Sequence, residues 1–427
     1  MILIHNALVV NATGVKKADI LIQDDRFVKI APELTRPIDA DIVEAQGWLA
    51  LPGLVDIHVH LREPGGEHKE DFYSGTCAAL AGGVTTVLGM PNTTPAITDE
   101  ASLEAALDLA ARKAVCDFGL YLGATRENVA TAARVERAVG LKLYMGSSTG
   151  PLLVDRFEDQ YAHLAAWPPD RIVAVHAENE EAVQYFAARG QRRPPVCAAL
   201  ETARAIMMAQ SLERPVHLCH LSTAPEIQMV KEAKQRGEPV TCEVTPHHLF
   251  LASEIEQHLG ARGMMNPPLR STTDAHALWD NLEFVDAIAT DHAPHTLDEK
   301  ASATPPSGVP GLETMLPLLL TAVQQKQLSW TDLVRLTSTG PAQLFKLSSK
   351  GCIAAGFDAD LVLVDPEIQW TISGKDLLTR CGWTPFEGWR ARGKVMRVYL
   401  RGQLAFDEGQ VLVAPGAGRP VRQVARQ

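Results

Sequence analysis

His58 and His60 stand two positions apart at the end of an apolar run, Val55-Asp56-Ile57-His58-Val59-His60. In an extended strand, residues i and i+2 share a face, so both imidazoles can point the same way and grip one cation. Imidazole nitrogen suits zinc and similar divalent ions. Further polar residues recur where later apolar runs end. Asn92 follows the run 84–90, His176 ends 172–176, His220 ends 216–220, Asp291 ends 285–291, and Lys142 lies inside Gly140-Leu141-Lys142-Leu143-Tyr144-Met145. Asp291 can complete the site begun by His58 and His60, and His176 with His220 can hold a second ion nearby. Paired metals stand ~3.5–4 Å apart and need a bridging anion, and water deprotonated between them becomes a nucleophile.

Each piece has a bland alternative. An isolated H-x-H is a weak signal, often two half-buried strand histidines. A single strand-end histidine is commonly a hydrogen-bonded structural residue, and the Asp291-His292 pair could cap a helix. A set of such residues, each at the end of a different run or paired in the first, is hard to explain as structure alone. Lys142 is the most informative oddity, because lysine is disfavoured inside an apolar strand. Either it snorkels to solvent, or burial disfavours its charged form and leaves a neutral amine able to take up carbon dioxide. The resulting carbamate is an anion with two oxygens that could bridge two metals.

These residues need a scaffold that gathers strand ends at one mouth. Eight strand candidates, at 55–60, 84–90, 118–124, 141–145, 172–176, 216–220, 240–244 and 285–291, alternate with helical stretches such as 102–113 and 198–212. That pattern predicts an α/β fold, a (β/α)8 TIM-like barrel over residues 53–345, with the active site at the C-terminal ends of its strands. Residues 1–52 and the end of the chain read as short strands with turns at Asp24-Asp25, Arg401-Gly402 and Glu408-Gly409. The expectation is one small composite β domain, a β-sandwich built from 1–52 and 346–427. The Pro/Ser/Gly stretch 301–310 lies just after the eighth strand, where barrels build lids.

With 427 residues, 46% hydrophobic and 21% charged, the chain suits a ~250-residue barrel plus a smaller unit. A formal net charge of -11 and no Lys/Arg-rich run argue against nucleic-acid binding. An anionic substrate would need local positive charge. Seven cysteines without a C-x-x-C pair argue against a disulfide framework or a zinc ribbon. No apolar run reaches the ~18 residues of a membrane span, and the N-terminus lacks the features of a signal peptide. A cytoplasmic protein is expected.

Several motifs carry a resemblance to a known family. Gly53-Leu54-Val55-Asp56-Ile57-His58-Val59-His60-Leu61-Arg62-Glu63-Pro64-Gly65 resembles the signature of the dihydroorotases, members of the amidohydrolase superfamily. So do Met90-Pro91-Asn92-Thr93, Asn266-Pro267-Pro268-Leu269-Arg270, Ala289-Thr290-Asp291-His292-Ala293-Pro294-His295 and Gly311-Leu312-Glu313-Thr314. The resemblance runs from about residue 1 to residue 412. It implies two zinc ions bridged by carboxylated Lys142 and a hydroxide. His58, His60 and Asp291 would hold one zinc, and His176 and His220 the other. Asp291 would be the catalytic acid–base, and the reaction the reversible hydrolysis of dihydroorotate to N-carbamoyl-aspartate in pyrimidine biosynthesis. Arg62 would bind the substrate carboxylate bidentately, with Asn92 and His295 beside it. Asn266 and the backbone at Pro310 and Gly311 would contact the ring. The bland alternative for Arg62 is a surface ion pair with Glu63 or Glu67.

The remaining histidines, His5, His68, His163, His258 and His276, read as local hydrogen-bonding residues. His217 is expected to face away from His220, and His247 and His248 to act at most behind the ligands. Other cyclic amidases of the superfamily, allantoinase and dihydropyrimidinase (hydantoinase), are the nearest alternatives. Arg62, Asn92 and His295 together favour dihydroorotase. A non-catalytic dihydroorotase-like partner of aspartate transcarbamoylase is the alternative from another class, and the complete ligand set argues against it. The resemblance also implies a homodimer and leaves room for association with aspartate transcarbamoylase.

Overall fold

A computed structural model describes residues 1–148 and 150–421. Residues 422–427, assigned above to the terminal unit, lie outside the described residues. Eight short parallel strands form a barrel: Leu54–Val59, Val84–Gly89, Asp117–Leu120 continuing as Leu122–Gly123, Gly140–Tyr144, Ile172–His176, Val216–Leu218, Val240–Val244 and Ala287–Ile288. The first three pair as one sheet, and Leu122–Gly123 through Ala287–Ile288 pair as a second. A parallel bridge between Val59 and His292 closes the ring, beside a His60 N–H bond to the His292 carbonyl at 2.7 Å. Most strand positions are buried, as expected of parallel strands covered by helices outside and packed side chains inside.

The helices start where the sequence supplies caps. Asp71, Asp99, Thr223, Ser271 and Thr296 each accept a backbone N–H three residues on, in capping boxes. The expected helices at 102–113 and 198–212 occur as Glu100–Lys113 and Pro195–Leu212.

The two ends of the chain meet in one mostly antiparallel sheet. Its strand order is Gln410–Val411, Gln403–Asp407, Arg390–Leu400, Leu361–Thr371, Leu49–Pro52, Ile2–Asn11, Gly14–Gln23, Arg26–Ala31, with Asp41–Glu44 also pairing Ile2–Asn11. Alternation sorts its side chains into two cores. Leu49, Leu51, Val362, Val364, Val398 and Leu400 join the barrel's main hydrophobic cluster, whereas Ala50, Leu361, Leu363 and Tyr399 turn to a separate cluster with Ile4, Ile20 and Phe27. This fits the expected (β/α)8 barrel with a small β-sandwich domain built from both chain termini. Among the described residues, no helix is long and apolar enough to cross a membrane.

Candidate active site

The C-terminal ends of the barrel strands bring His58, His60, Lys142, His176, His220 and Asp291 together, none more than 8% exposed. Two of these strands end earlier than the sequence suggests. The sixth stops at Leu218 and the eighth at Ile288. His220 and Asp291 lie just beyond, with φ of 38° and 45°, and Arg62 has a φ of 64°. Left-handed backbone is uncommon for such residues and carries strain, which proteins retain where a side chain must be aimed.

His58 Nε2 and His60 Nε2 both face Asp291 Oδ1, at 3.3 and 3.1 Å. Each second imidazole nitrogen is anchored. His60 Nδ1 bonds Asn92 Oδ1 at 2.7 Å, and His58 Nδ1 bonds Glu243 Oε1. On the other side, His176 Nδ1 and His220 Nε2 face each other at 3.0 Å, and His176 Nε2 bonds Glu178 Oε2 at 3.0 Å. Glu178 is in turn held by Arg193. Lys142 is fully buried and makes no ion pair among the described residues; its Nζ donates to Cys219 Sγ at 3.0 Å.

Electrostatics follow from burial and convergence. Burial and Lys142 act to lower the pKa of His58, but the carboxylates of Glu243 and Asp291 outweigh them and hold it up at about 10. Burial lowers His60 to about 4 and pushes His220 well below the ordinary value. For Asp291, burial would raise the pKa, yet His58 and His60 keep it well below the usual carboxylate range. The site thus demands positive charge between its carboxylates while keeping most of its imidazoles neutral. A donor set of neutral imidazoles and ionised carboxylate is what a divalent cation requires. The ligand atoms of His58, His220 and Asp291 lie within 4.8 Å of one another, and so do those of His58, Cys219 and Glu243. The residues therefore fit metal ions.

Arg62 lies beside this centre, 9% exposed. It makes neither of the surface ion pairs considered above: Glu63 pairs with Lys113, and Glu67 accepts the Gly65 N–H. Its Nε donates to the Pro294 carbonyl at 3.0 Å, and its Nη2 lies 3.1 Å from His295 Nε2. Burial lowers its pKa to about 10, so it remains charged at neutral pH. Asn266 lies between Met264, whose carbonyl accepts from Lys300 and Gly308, and Pro267, whose carbonyl bonds His248 Nε2. The Gly311 N–H next to Pro310 is committed to His292 Nδ1 at 3.1 Å. At the lid stretch, Lys300 Nζ also binds the Pro306 carbonyl at 2.8 Å, tying 301–310 back to the barrel.

One orientation differs from the expectation. His217 does not face away from the site but bonds Glu243 Oε2 at 3.2 Å. The reason is that His220 has left the strand, so counting by twos from His217 fails there. Sequence reasoning also passed over Glu243, Glu178 and Cys219. Glu243 had a visible signal, a carboxylate inside the apolar run Val240-Thr241-Cys242-Glu243-Val244, the same anomaly that marks Lys142. Of the local histidines, His5 pairs with Asp19 at 3.0 Å, and the buried His163 bonds the Thr125 carbonyl at 2.7 Å.

The amidohydrolase family model matches residues 49–405. The chain is 43% identical to "Multifunctional protein CAD" of Squalus acanthias over 96% of its own length, but spans only 17% of that protein. It is 38% identical to the dihydroorotase of Pyrococcus furiosus, covering 94% of this chain and 92% of that one. Among solved structures, the dihydropyrimidinase of Brevibacillus agri superposes with a TM-score of 0.92 at 29% identity, over 100% of both chains.

Proposed function

The chain belongs to the amidohydrolase family, and on that footing we propose that it is a zinc-dependent dihydroorotase. It interconverts dihydroorotate and N-carbamoyl-aspartate by hydrolysing and re-forming the ring amide. The observation that carries the substrate assignment is Arg62. A buried guanidinium, braced by Pro294 and His295 beside a hydrolytic centre, still has N–H groups for a carboxylate. Dihydroorotate has that carboxylate and dihydrouracil lacks it, which separates this reading from the dihydropyrimidinase one. Relatives bearing the dihydroorotase name, 36–38% identical over nearly their whole length, support the same choice.

His58, His60 and Asp291 would hold one zinc ion and His176 and His220 the other, with Lys142 bridging as its carbamate. When bound, such ions polarise the amide carbonyl and acidify water near neutral pH. The remaining work belongs to side chains. Asn92 and Glu178 fix the tautomers of His60 and His176, so that His60 Nε2 and His176 Nδ1 stay available as ligand atoms. Arg62, Asn92 and His295 orient the carboxylate end of the ring, and Asn266 and the Pro310–Gly311 backbone border its other edge. Asp291, ionised in the free protein, accepts a proton from the attacking water on a carboxylate oxygen and passes it to the leaving ring nitrogen.

The test is parallel hydrolysis of dihydroorotate, allantoin and dihydrouracil by zinc-replete protein. The expected outcome is a strong preference for dihydroorotate. Arg62→Met is expected to lower kcat/KM for dihydroorotate by at least ~10²-fold, the effect of leaving a substrate carboxylate unpaired. Turnover of another ring with dihydroorotate inert would sink the substrate assignment.

A further inference from the structure

Tyr144 carries a polar group that the roles above leave unused. It ends the fourth barrel strand, two residues after Lys142 and on the same face, in register with His176 on the fifth strand. Lys142 Nζ lies 5.2 Å from the centre of its ring, and the ring centres of Tyr144 and His176 are 6.2 Å apart. The side chain is only 4% exposed, yet its phenolic oxygen has no hydrogen-bond partner among the described residues. Burying a hydroxyl without a partner is unfavourable, and native proteins rarely tolerate it unless something else supplies the partner.

Position says what that something is. In an eight-stranded barrel the fourth and eighth strands lie on opposite sides, so Tyr144 stands across the mouth from Asp291. Asp291, Cys219 and Arg62 all act on the phenol electrostatically. The hydroxyl therefore lies within electrostatic reach of both Asp291 and the guanidinium that takes the carboxylate. Packed over Lys142 and beside His176, it has the placement of a preorganised donor for charge that develops during reaction.

We propose that Tyr144 is a catalytic residue whose hydroxyl donates a hydrogen bond to the oxygen of the ring amide carbonyl under attack. This rests on the dihydroorotase reading above. In the step, the water oxygen bonds to the carbonyl carbon, one water proton passes to Asp291, and the C=O π pair moves onto the oxygen that Tyr144 contacts. The pair then returns, the C–N bond breaks, and the ring nitrogen takes the proton from Asp291. The second water proton is lost to solvent as the carboxylate forms. Tyr144 keeps its proton throughout; its bond to the oxygen is strongest while the oxygen is negative.

Tyr144→Phe keeps the ring and removes only the donor. The experiment compares the metal-replete wild type and this variant for kcat and KM on dihydroorotate, affinity for N-carbamoyl-aspartate by calorimetry, and metal content by emission spectrometry. A fall in kcat of about 10²–10³-fold is expected, the effect of losing one oxyanion donor. KM and product affinity are expected to stay within about threefold, because the bond belongs to the transition state, and metal content is expected to match the wild type. Unchanged kcat overturns the proposal. So does a raised KM with unchanged kcat, which would put the hydroxyl on the carboxylate, and so does loss of metal, which would make it a support for Lys142. If the variant does not fold, fluorotyrosines at position 144 supply the reading: kcat rising with phenol acidity supports the donor, and a flat series overturns it. A wild type inert toward dihydroorotate would instead bring down the functional reading, and that is seen before any variant is compared.

Discussion

At the scale of single residues, the site is built from side chains that violate local expectation. Lys142 has no counter-ion among the described residues although it is fully buried, and its only polar partner is the Cys219 thiol. A buried lysine without a counter-ion is unfavourable, and the carboxylation proposed above would put in its place an anion able to bridge two metals. Lys142→Ala is accordingly expected to retain its fold but lose at least one of two metals per chain and nearly all hydrolysis. Metal analysis of the purified variant checks this, and two metals with full activity would end the bridging role. Lys142 was legible in the sequence because a charge inside an apolar strand is anomalous. Tyr144 was not, since an aromatic residue in a strand is ordinary and only its unpartnered hydroxyl singles it out.

At the scale of elements, the stretch between the strands Leu361–Thr371 and Arg390–Leu400 lies against the mouth of the barrel. Trp383 Nε1 donates to the His295 carbonyl at 2.7 Å, and the Thr379 hydroxyl bonds Glu70 at 2.5 Å. Glu313, at the start of the helix Leu312–Gln324, anchors this stretch by accepting the Leu378 and Thr379 N–H groups, both at 2.9 Å. Burial raises the Glu313 pKa from 4.5 to about 7 despite those bonds. Between these two values the folded state binds more protons than the unfolded one, so this carboxyl makes stability fall as pH rises from about 4.5 to 7. Glu313→Gln removes that slope. Denaturant unfolding at pH 5 and pH 8 is expected to show a smaller loss for the variant than for the wild type, and parallel losses would contradict the assignment. Nothing in the residues 372–389 by themselves points to the barrel mouth; their place depends on where the terminal sheet docks.

At the scale of the whole molecule, we read the chain as a barrel over 53–345 and a composite unit of 1–52 with 346–427. An ion cluster joins the two. Lys350 Nζ lies 2.8 Å from Asp117 at the start of the third barrel strand and 2.6 and 3.3 Å from Asp360 and Asp358, which precede a strand of the terminal sheet. Arg401 also pairs with Asp117. The Lys350 side chain is 7% exposed, so removing it leaves the buried Asp360 without a charged partner, while Asp117 keeps Arg401 and Asp358 keeps Arg26. Lys350→Met is expected to lower the unfolding free energy by about 3–5 kcal/mol, read from denaturant midpoints. Burial works against the charge on Lys350, but Asp360, Asp117 and Asp358 raise its pKa above the ordinary 10.5. Its stabilisation is therefore fully present below 10.5 and lost only as pH rises through the folded value, so the deficit is expected in full at pH 8.

The sequence by itself determined the architecture and most of the candidate site. Strand runs alternating with helices specify a parallel barrel because periodicity and length are local properties, and residues at strand ends must then converge at one mouth. It determined the composite terminal sheet as well, since short alternating strands at both ends need partners. Only the tertiary structure decided what depends on contacts between distant segments. It set the strand ends at Leu218 and Ile288, with His220 and Asp291 turned through left-handed backbone. It brought Glu243, Glu178 and Asn92 behind the imidazoles, and it turned His217 inward. Spacing along the chain fixes which face a residue shares with its neighbours, but not which atom from another strand arrives within hydrogen-bonding distance of it.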